Sequence, residues 1–204
     1  MTQVCSTCNA SFDNKKFFCN HCGKVYEITL GKELSYFTIF DFKTSLDIDQ
    51  NMLETKFSEL INVMHPDRFI YKTEHEKLIA EINTSIIHKA YAVLSSELGI
   101  CEYILNHTEN ADNNEILDDD DAFLMEKMEL YEELNNINSL TKCNEFSNRL
   151  NAIYSSRLSS LKHNITQKNF HNQNKALQKL KFIQNLIDVL EKKVYMLEID
   201  TKLQ

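Results

Sequence analysis

The chain has 204 residues, a formal net charge of −8, and only 3 glycines and 1 proline. That length holds one or two small domains, and the scarcity of helix breakers points to a mostly α protein without a large sheet. The acidic balance repels nucleic acid and anionic membrane, and no apolar run is long enough to span a bilayer.

Residues 1–32 are cysteine-rich and poor in helix periodicity. Cys5, Cys8, Cys19 and Cys22 form two CxxC pairs. Each pair lets two thiolates converge from one tight turn, and two such turns supply the four tetrahedral ligands that zinc prefers. Asn9 and Gly23 follow the pairs, and both residue types tolerate the left-handed backbone such turns need. A structural Zn2+ is the expected occupant, because four protein ligands leave no open position. An iron–sulfur cluster uses the same ligand set, and spacing alone does not separate the two. His21 lies between two ligands and is read as a bystander. A disulfide framework would conflict with the intracellular setting expected of a chain with no visible signal peptide.

Residues 33–107 carry helical periodicity interrupted by His65-Pro66-Asp67. Asp49 is a plausible N-cap for a helix to about Met64, with Leu53, Phe57, Leu60, Ile61 and Met64 on one face. A second helix is expected from about Thr73 to Ser95, with Leu78, Ile79, Ile82, Ile86, Ala90, Val93 and Leu94 as its apolar set. The two make an antiparallel hairpin. Pro66 stops the first helix, but that role leaves His65 and Asp67 unexplained.

Residues 108–121 read as an acidic linker, and residues 122–204 as long helices. From Ser147 to Ile187 there is no Asp or Glu, and Arg149 and Arg157 are among seven basic residues there. Charge pairing between helices of one bundle explains this better than an anion-binding face. On the helix from Ala122 to Ile137, the residues Phe123, Leu130, Leu134 and Ile137 share the stripe that must face a core. Leu124, Met125 and Met128 lie off it, beside Glu129 and Glu132, where either another helix or a partner covers them. Phe182 is expected to stand off its own helix's core stripe of Leu180, Ile183, Ile187, Leu190 and Val194. Cys101 and Cys143 read as buried small hydrophobes.

The tripeptide His65-Pro66-Asp67 between two amphipathic helices resembles the J domain, the module that stimulates ATP hydrolysis by DnaK-type chaperones. The resemblance narrows along the chain. Tyr36-Phe37-Thr38-Ile39-Phe40 looks like the YFxLF opening of HscB proteins, and His65-Pro66-Asp67-Arg68-Phe69 matches their HPDxF. Glu102-Tyr103-Ile104-Leu105 resembles the AEYLL close of their J domain. Phe123-Leu124-Met125-Glu126 through Glu132-Glu133-Leu134 is similar to FLMExxELREEL, and Lys179-Leu180-Lys181-Phe182 to the last-helix KLxF. These matches keep their order over about residues 35 to 200. A paired-CxxC front module is what the animal-like members add.

The resemblance implies a J-domain hairpin and a carboxy-terminal three-helix bundle in an L shape. It also implies two protein partners, a DnaK-type chaperone and the iron–sulfur cluster scaffold protein. His65, Pro66, Asp67, Arg68 and Lys56 would meet the chaperone, with Asp67 pairing a chaperone arginine. The helix before the loop carries fewer basic residues than is usual in J domains, so steering should be weaker. Leu124, Met125, Met128, Glu129, Glu132 and Phe182 would bind the scaffold; Asn136 stands where the family has a carboxylate. Weak self-association is a further expectation, and the cysteine module serves either stability or the control of dimerisation or partner access. The family's eukaryotic members point to a mitochondrion or related organelle, while the lack of a visible transit peptide allows the cytoplasm.

Two rival readings stand beside this one. A general J protein with another client would share the loop but not the run at Phe123. A zinc-ribbon adaptor for nucleic acid would want interleaved basic and aromatic residues in 1–32. An enzyme is not expected: no nucleophile–base arrangement or phosphate-cradling glycine loop is visible, and any ATPase activity would belong to the partner.

Overall fold

The computed structural model describes residues 2–13, 17–31, 34–107, 121–169 and 173–202. The chain divides into two compact units, residues 1–100 and 101–204. The expected acidic linker lies outside the described residues, apart from Asp121.

The first unit opens with an antiparallel pair, β1 (Thr2–Val4) and β2 (Ser11–Asp13), in the register Gln3 to Phe12. A short helix α1 (Tyr36–Ile39) follows, started by a capping box between Ser35 and Thr38. It buries Phe37, Ile39 and Phe40, so most of the aromatic opening motif is core. Helix α2 (Gln50–Met64) starts where Asp49 accepts the Asn51 and Met52 amides. A 3-10 turn spans Pro66–Phe69, and Phe69 is buried beneath it. Helix α3 (Glu74–Leu94) is opened by a second capping box, Thr73 with Glu76. Both helix boundaries agree with the sequence reading because a cap residue marks each one. Helix α4 (Glu97–Asn106) then carries the chain through the boundary between the units.

The expected apolar face of α3 needs correction. Its buried stripe is Ile79, Ala80, Asn83, Ile87, Ala90 and Leu94. Leu78 and Ile82 are exposed instead. The buried arc is rotated by about one residue, and a polar residue, Asn83, takes a core position.

The second unit holds α5 (Asp121–Asn136), α6 (Leu140–Thr166) and α7 (Gln173–Lys202). Phe123, Leu130, Leu134 and Ile137 join Cys143, Phe146, Leu150, Ile183, Leu186, Ile187 and Leu190 in one core. Cys101 and Cys143 are fully buried. Arg149 pairs with Glu133, and Arg157 with Glu126 at 2.5 Å. Those two basic residues therefore join α6 to α5, as helix pairing requires. No helix among the described residues is long and apolar enough to cross a membrane.

Candidate functional site

Three separate surfaces carry chemistry, and the first is the cysteine cluster. Each CxxC folds into the same turn. The Cys5 amide donates to the Ala10 carbonyl and the Asn9 amide to the Cys5 carbonyl; Cys19 repeats this with Lys24 and Gly23. Asn9 and Gly23 both take positive φ, 56° and 72°, so each turn reverses in the left-handed region.

The turns bring the four Sγ atoms within 4.8 Å of one another. Cys5 and Cys22 stand 3.5 Å apart and Cys8 and Cys19 3.6 Å. A tetrahedral ion with sulfur bonds of about 2.3 Å has edges of about 3.8 Å, so the set fits a four-coordinate metal. All six described cysteines are free thiols.

The thiols differ in acidity. The Tyr26 hydroxyl, with backbone N–H groups of Thr7 and Cys8, lowers Cys5 from its ordinary value to about 5. Backbone donors led by that of Cys22 also lower Cys19. The Ala10 backbone favours the Cys8 thiolate as well, but desolvation and the neighbouring thiols outweigh it and push Cys8 up to about 12. A bound cation would hold all four as thiolates. His21 is exposed and is not among the clustered donors.

The second surface is the loop after α2. His65 takes an extended backbone (φ −56°, ψ 129°) because Pro66 forbids the helix to continue. The Asp67 amide donates to His65 Nδ1 at 3.3 Å, and the Arg68 amide to the His65 carbonyl at 3.0 Å. Arg68 Nη1 holds the Asn62 carbonyl at 3.0 Å. The loop backbone is thus fixed, while the Asp67 side chain remains 79% exposed. The His65 ring lies beside it, with Nδ1 3.6 Å from the carboxylate. Lys56 is less available. Its ammonium donates to the Phe40 carbonyl at 2.8 Å and lies over the Phe42 ring.

The third surface lies on α5. Leu124, Met125 and Met128 are 49%, 65% and 66% exposed, and Glu129 and Glu132 are exposed beside them. Asn136 is exposed near the end of the same helix.

Phe182 departs from the expectation. It is buried, at 9% exposure, and belongs to the bundle core. Helix α7 buries a broad arc that includes Leu177, Leu180, Phe182, Ile183 and Leu186, so a residue off the narrow stripe is still covered. Its ring meets Phe123 edge-on at 5.7 Å and Tyr131 at 5.6 Å.

Tyr131 was not singled out from the sequence. It is 47% exposed, and its spacing of three and seven residues from Met128 and Leu124 places it on the same face. We expect Phe182→Ala to destabilise the bundle by about 3 kcal/mol or more, as buried aromatic truncations do. Chemical denaturation of the variant should show a lowered midpoint; an unshifted midpoint would mean the ring is dispensable to the core.

Residues 119–191 match the family model described as the HSCB C-terminal oligomerisation domain. The co-chaperone protein HscB homolog of Vibrio campbellii is 31% identical over 164 residues, covering 78% of this chain and 95% of that protein. The co-chaperone protein HscB of Proteus mirabilis is 30% identical, with 78% and 94% covered. The structure of chaperone HscB from Vibrio cholerae superposes with a TM-score of 0.72 at 28% identity, covering 80% of this chain and 99% of that one. The human co-chaperone protein HscB shares the fold at a TM-score of 0.76 and 22% identity, over 94% of this chain and 98% of that one.

Proposed function

The chain belongs to the HscB family of co-chaperones, and from that premise we propose that it delivers an iron–sulfur cluster scaffold protein to a DnaK-type chaperone. The α5 surface holds the scaffold. The His65-Pro66-Asp67 loop stimulates the chaperone's ATP hydrolysis, and cluster transfer follows. The chain itself performs no catalysis; the hydrolytic chemistry is the chaperone's.

The observation that carries this reading is the exposed apolar strip of α5. Phe123, Leu130 and Leu134 already meet the helix's need for a core, yet Leu124, Met125 and Met128 stay in water. Apolar side chains in such a cluster, rimmed by Glu129 and Glu132, suit a protein partner. Both methionines can adapt to an irregular partner surface. On the other unit, Asp67 offers a carboxylate on a fixed backbone, which an arginine can meet with little ordering cost.

Zn2+ is the proposed occupant of Cys5, Cys8, Cys19 and Cys22, as a structural ion. Elemental analysis of the purified chain should find about one zinc per chain; iron with acid-labile sulfide would contradict it. The proposed site of action is a mitochondrion or related organelle, which cell fractionation tests.

The test of the whole reading is the chaperone's ATPase rate with scaffold alone, with this chain alone, and with both. The reading predicts that the combined rate exceeds the sum of the separate stimulations. A combined rate equal to that sum would show that the chain does not join scaffold to chaperone.

A further inference from the structure

Asn83 is fully buried on α3, in a stripe otherwise made of Ile79, Ala80, Ile87, Ala90 and Leu94. Its side chain faces the segment by which the chain leaves the cysteine module. Its Oδ1 accepts the Ile28 amide at 2.9 Å, and its Nδ2 donates to the Tyr26 carbonyl at 2.8 Å. In extended backbone, the carbonyl of one residue and the amide two residues on point to the same side. A single carboxamide offers the acceptor and donor that a neighbouring strand would supply. No apolar residue could do so, which accounts for a polar group in this core.

The same turn of α3 holds the base of the loop. Met64 ends α2 and immediately precedes His65. Its carbonyl is one that a helix end leaves without an internal partner, and the hydroxyl of Thr84 donates to it at 3.0 Å. The Met64 side chain is fully buried, with Sδ 4.0 Å from Asn83 Nδ2.

On the other side, Tyr26 reaches the cysteine cluster. Its ring stacks on Phe12 at 4.9 Å, and its hydroxyl accepts the Ser6 amide at 3.2 Å, next to Cys5. Phe18 of the module also lines a hollow of about 260 Å³ with Phe40, just after α1, and Leu60 and Val63 of α2. Both ends of this path lie inside one compact unit.

We propose that Asn83 is a positioning residue that joins the cysteine module to the base of the His65-Pro66-Asp67 loop, so that metal occupancy sets how firmly the loop is held. With metal bound, the two turns are rigid, the Tyr26–Ile28 segment is extended, and Asn83 is satisfied beside Met64. With metal removed, the exit segment loosens, and the buried carboxamide loses the partners that hold this turn of α3 against the end of α2. The inference rests on the proposed function only for the loop's role at the chaperone.

The test is amide hydrogen exchange on the intact chain, loaded with zinc and after chelation. The reporters are Ile28, Arg68 and Lys72, whose amides are bonded to Asn83, His65 and Phe69. Chelation should speed exchange at all three by about tenfold, as local opening becomes easier, and re-added zinc should restore it. Amides of α5 to α7 should not change.

Asn83→Asp keeps the acceptor for Ile28 and loses the donor to Tyr26. With metal still bound, shown by cobalt absorption, that variant should exchange fast at Arg68 and Lys72 and no longer respond to chelation. Acceleration at Ile28 with Arg68 and Lys72 unmoved in the unmodified chain would overturn the proposal. That readout needs no partner protein, so it stands or falls separately from the co-chaperone reading.

Discussion

Asp67→Asn should reduce stimulation of the chaperone's ATPase by at least ~30-fold while leaving fold and scaffold binding intact. The substitution keeps shape and removes charge. Truncating one partner of a charged, hydrogen-bonded interface pair costs about 2–5 kcal/mol, and the lower figure already corresponds to that factor. The fold should not notice, because Asp67 is exposed and the loop is held through backbone bonds and the buried Phe69. The check is the steady-state ATPase rate against co-chaperone concentration, alongside a thermal melt. Full stimulation by a folded Asp67→Asn chain would remove the loop from the account.

The second large effect concerns α5. Leu124→Ser with Met128→Ser should weaken scaffold binding by about 100-fold. Burying each side chain fully is worth about 1.5–3 kcal/mol, and central apolar contacts dominate interface energies. Both side chains are solvent-exposed in the free chain, so removing them should leave stability within about 0.5 kcal/mol. Phe182→Ser would give a less clear answer, because it also removes a core ring. Tyr131→Ala is the better third change. Equal affinities for the unmodified chain and the double variant, each measured with the same scaffold, would place the binding surface elsewhere.

Much of this architecture was legible in the sequence, for reasons that differ between elements. Asp49 and Thr73 mark helix starts because an orphaned amide needs an oxygen at that position. The cysteine turns were legible because metal chelation imposes both the spacing and the left-handed residues at Asn9 and Gly23. The stripe of Phe123, Leu130, Leu134 and Ile137 follows from helical period alone.

What escaped notice depends on contacts between distant segments. Asn83 looks like an ordinary polar residue in a helix until Tyr26 and Ile28 stand against it, 57 and 55 residues away in sequence. Leu78 and Ile82 look like core by helical period, but the buried arc runs through Asn83 instead and leaves both exposed. Phe182 lies off the narrow stripe, but α7 buries a broad arc. Tyr131 is half-hydrophobic and gave a weak signal between Met128 and Glu132. For the same reason the boundary of the first compact unit, at residue 100, encloses both the cysteine module and the hairpin, although composition separates them.

The central claim is that this chain carries a scaffold protein to a chaperone, and direct titration of an iron–sulfur scaffold protein into it by calorimetry tests that claim. The account predicts saturable binding in the micromolar range, about −8 kcal/mol, that is lost in the still-folded Leu124→Ser, Met128→Ser chain. No heat of binding with the unmodified, metal-loaded chain would contradict it and leave a J-domain protein whose client is something else.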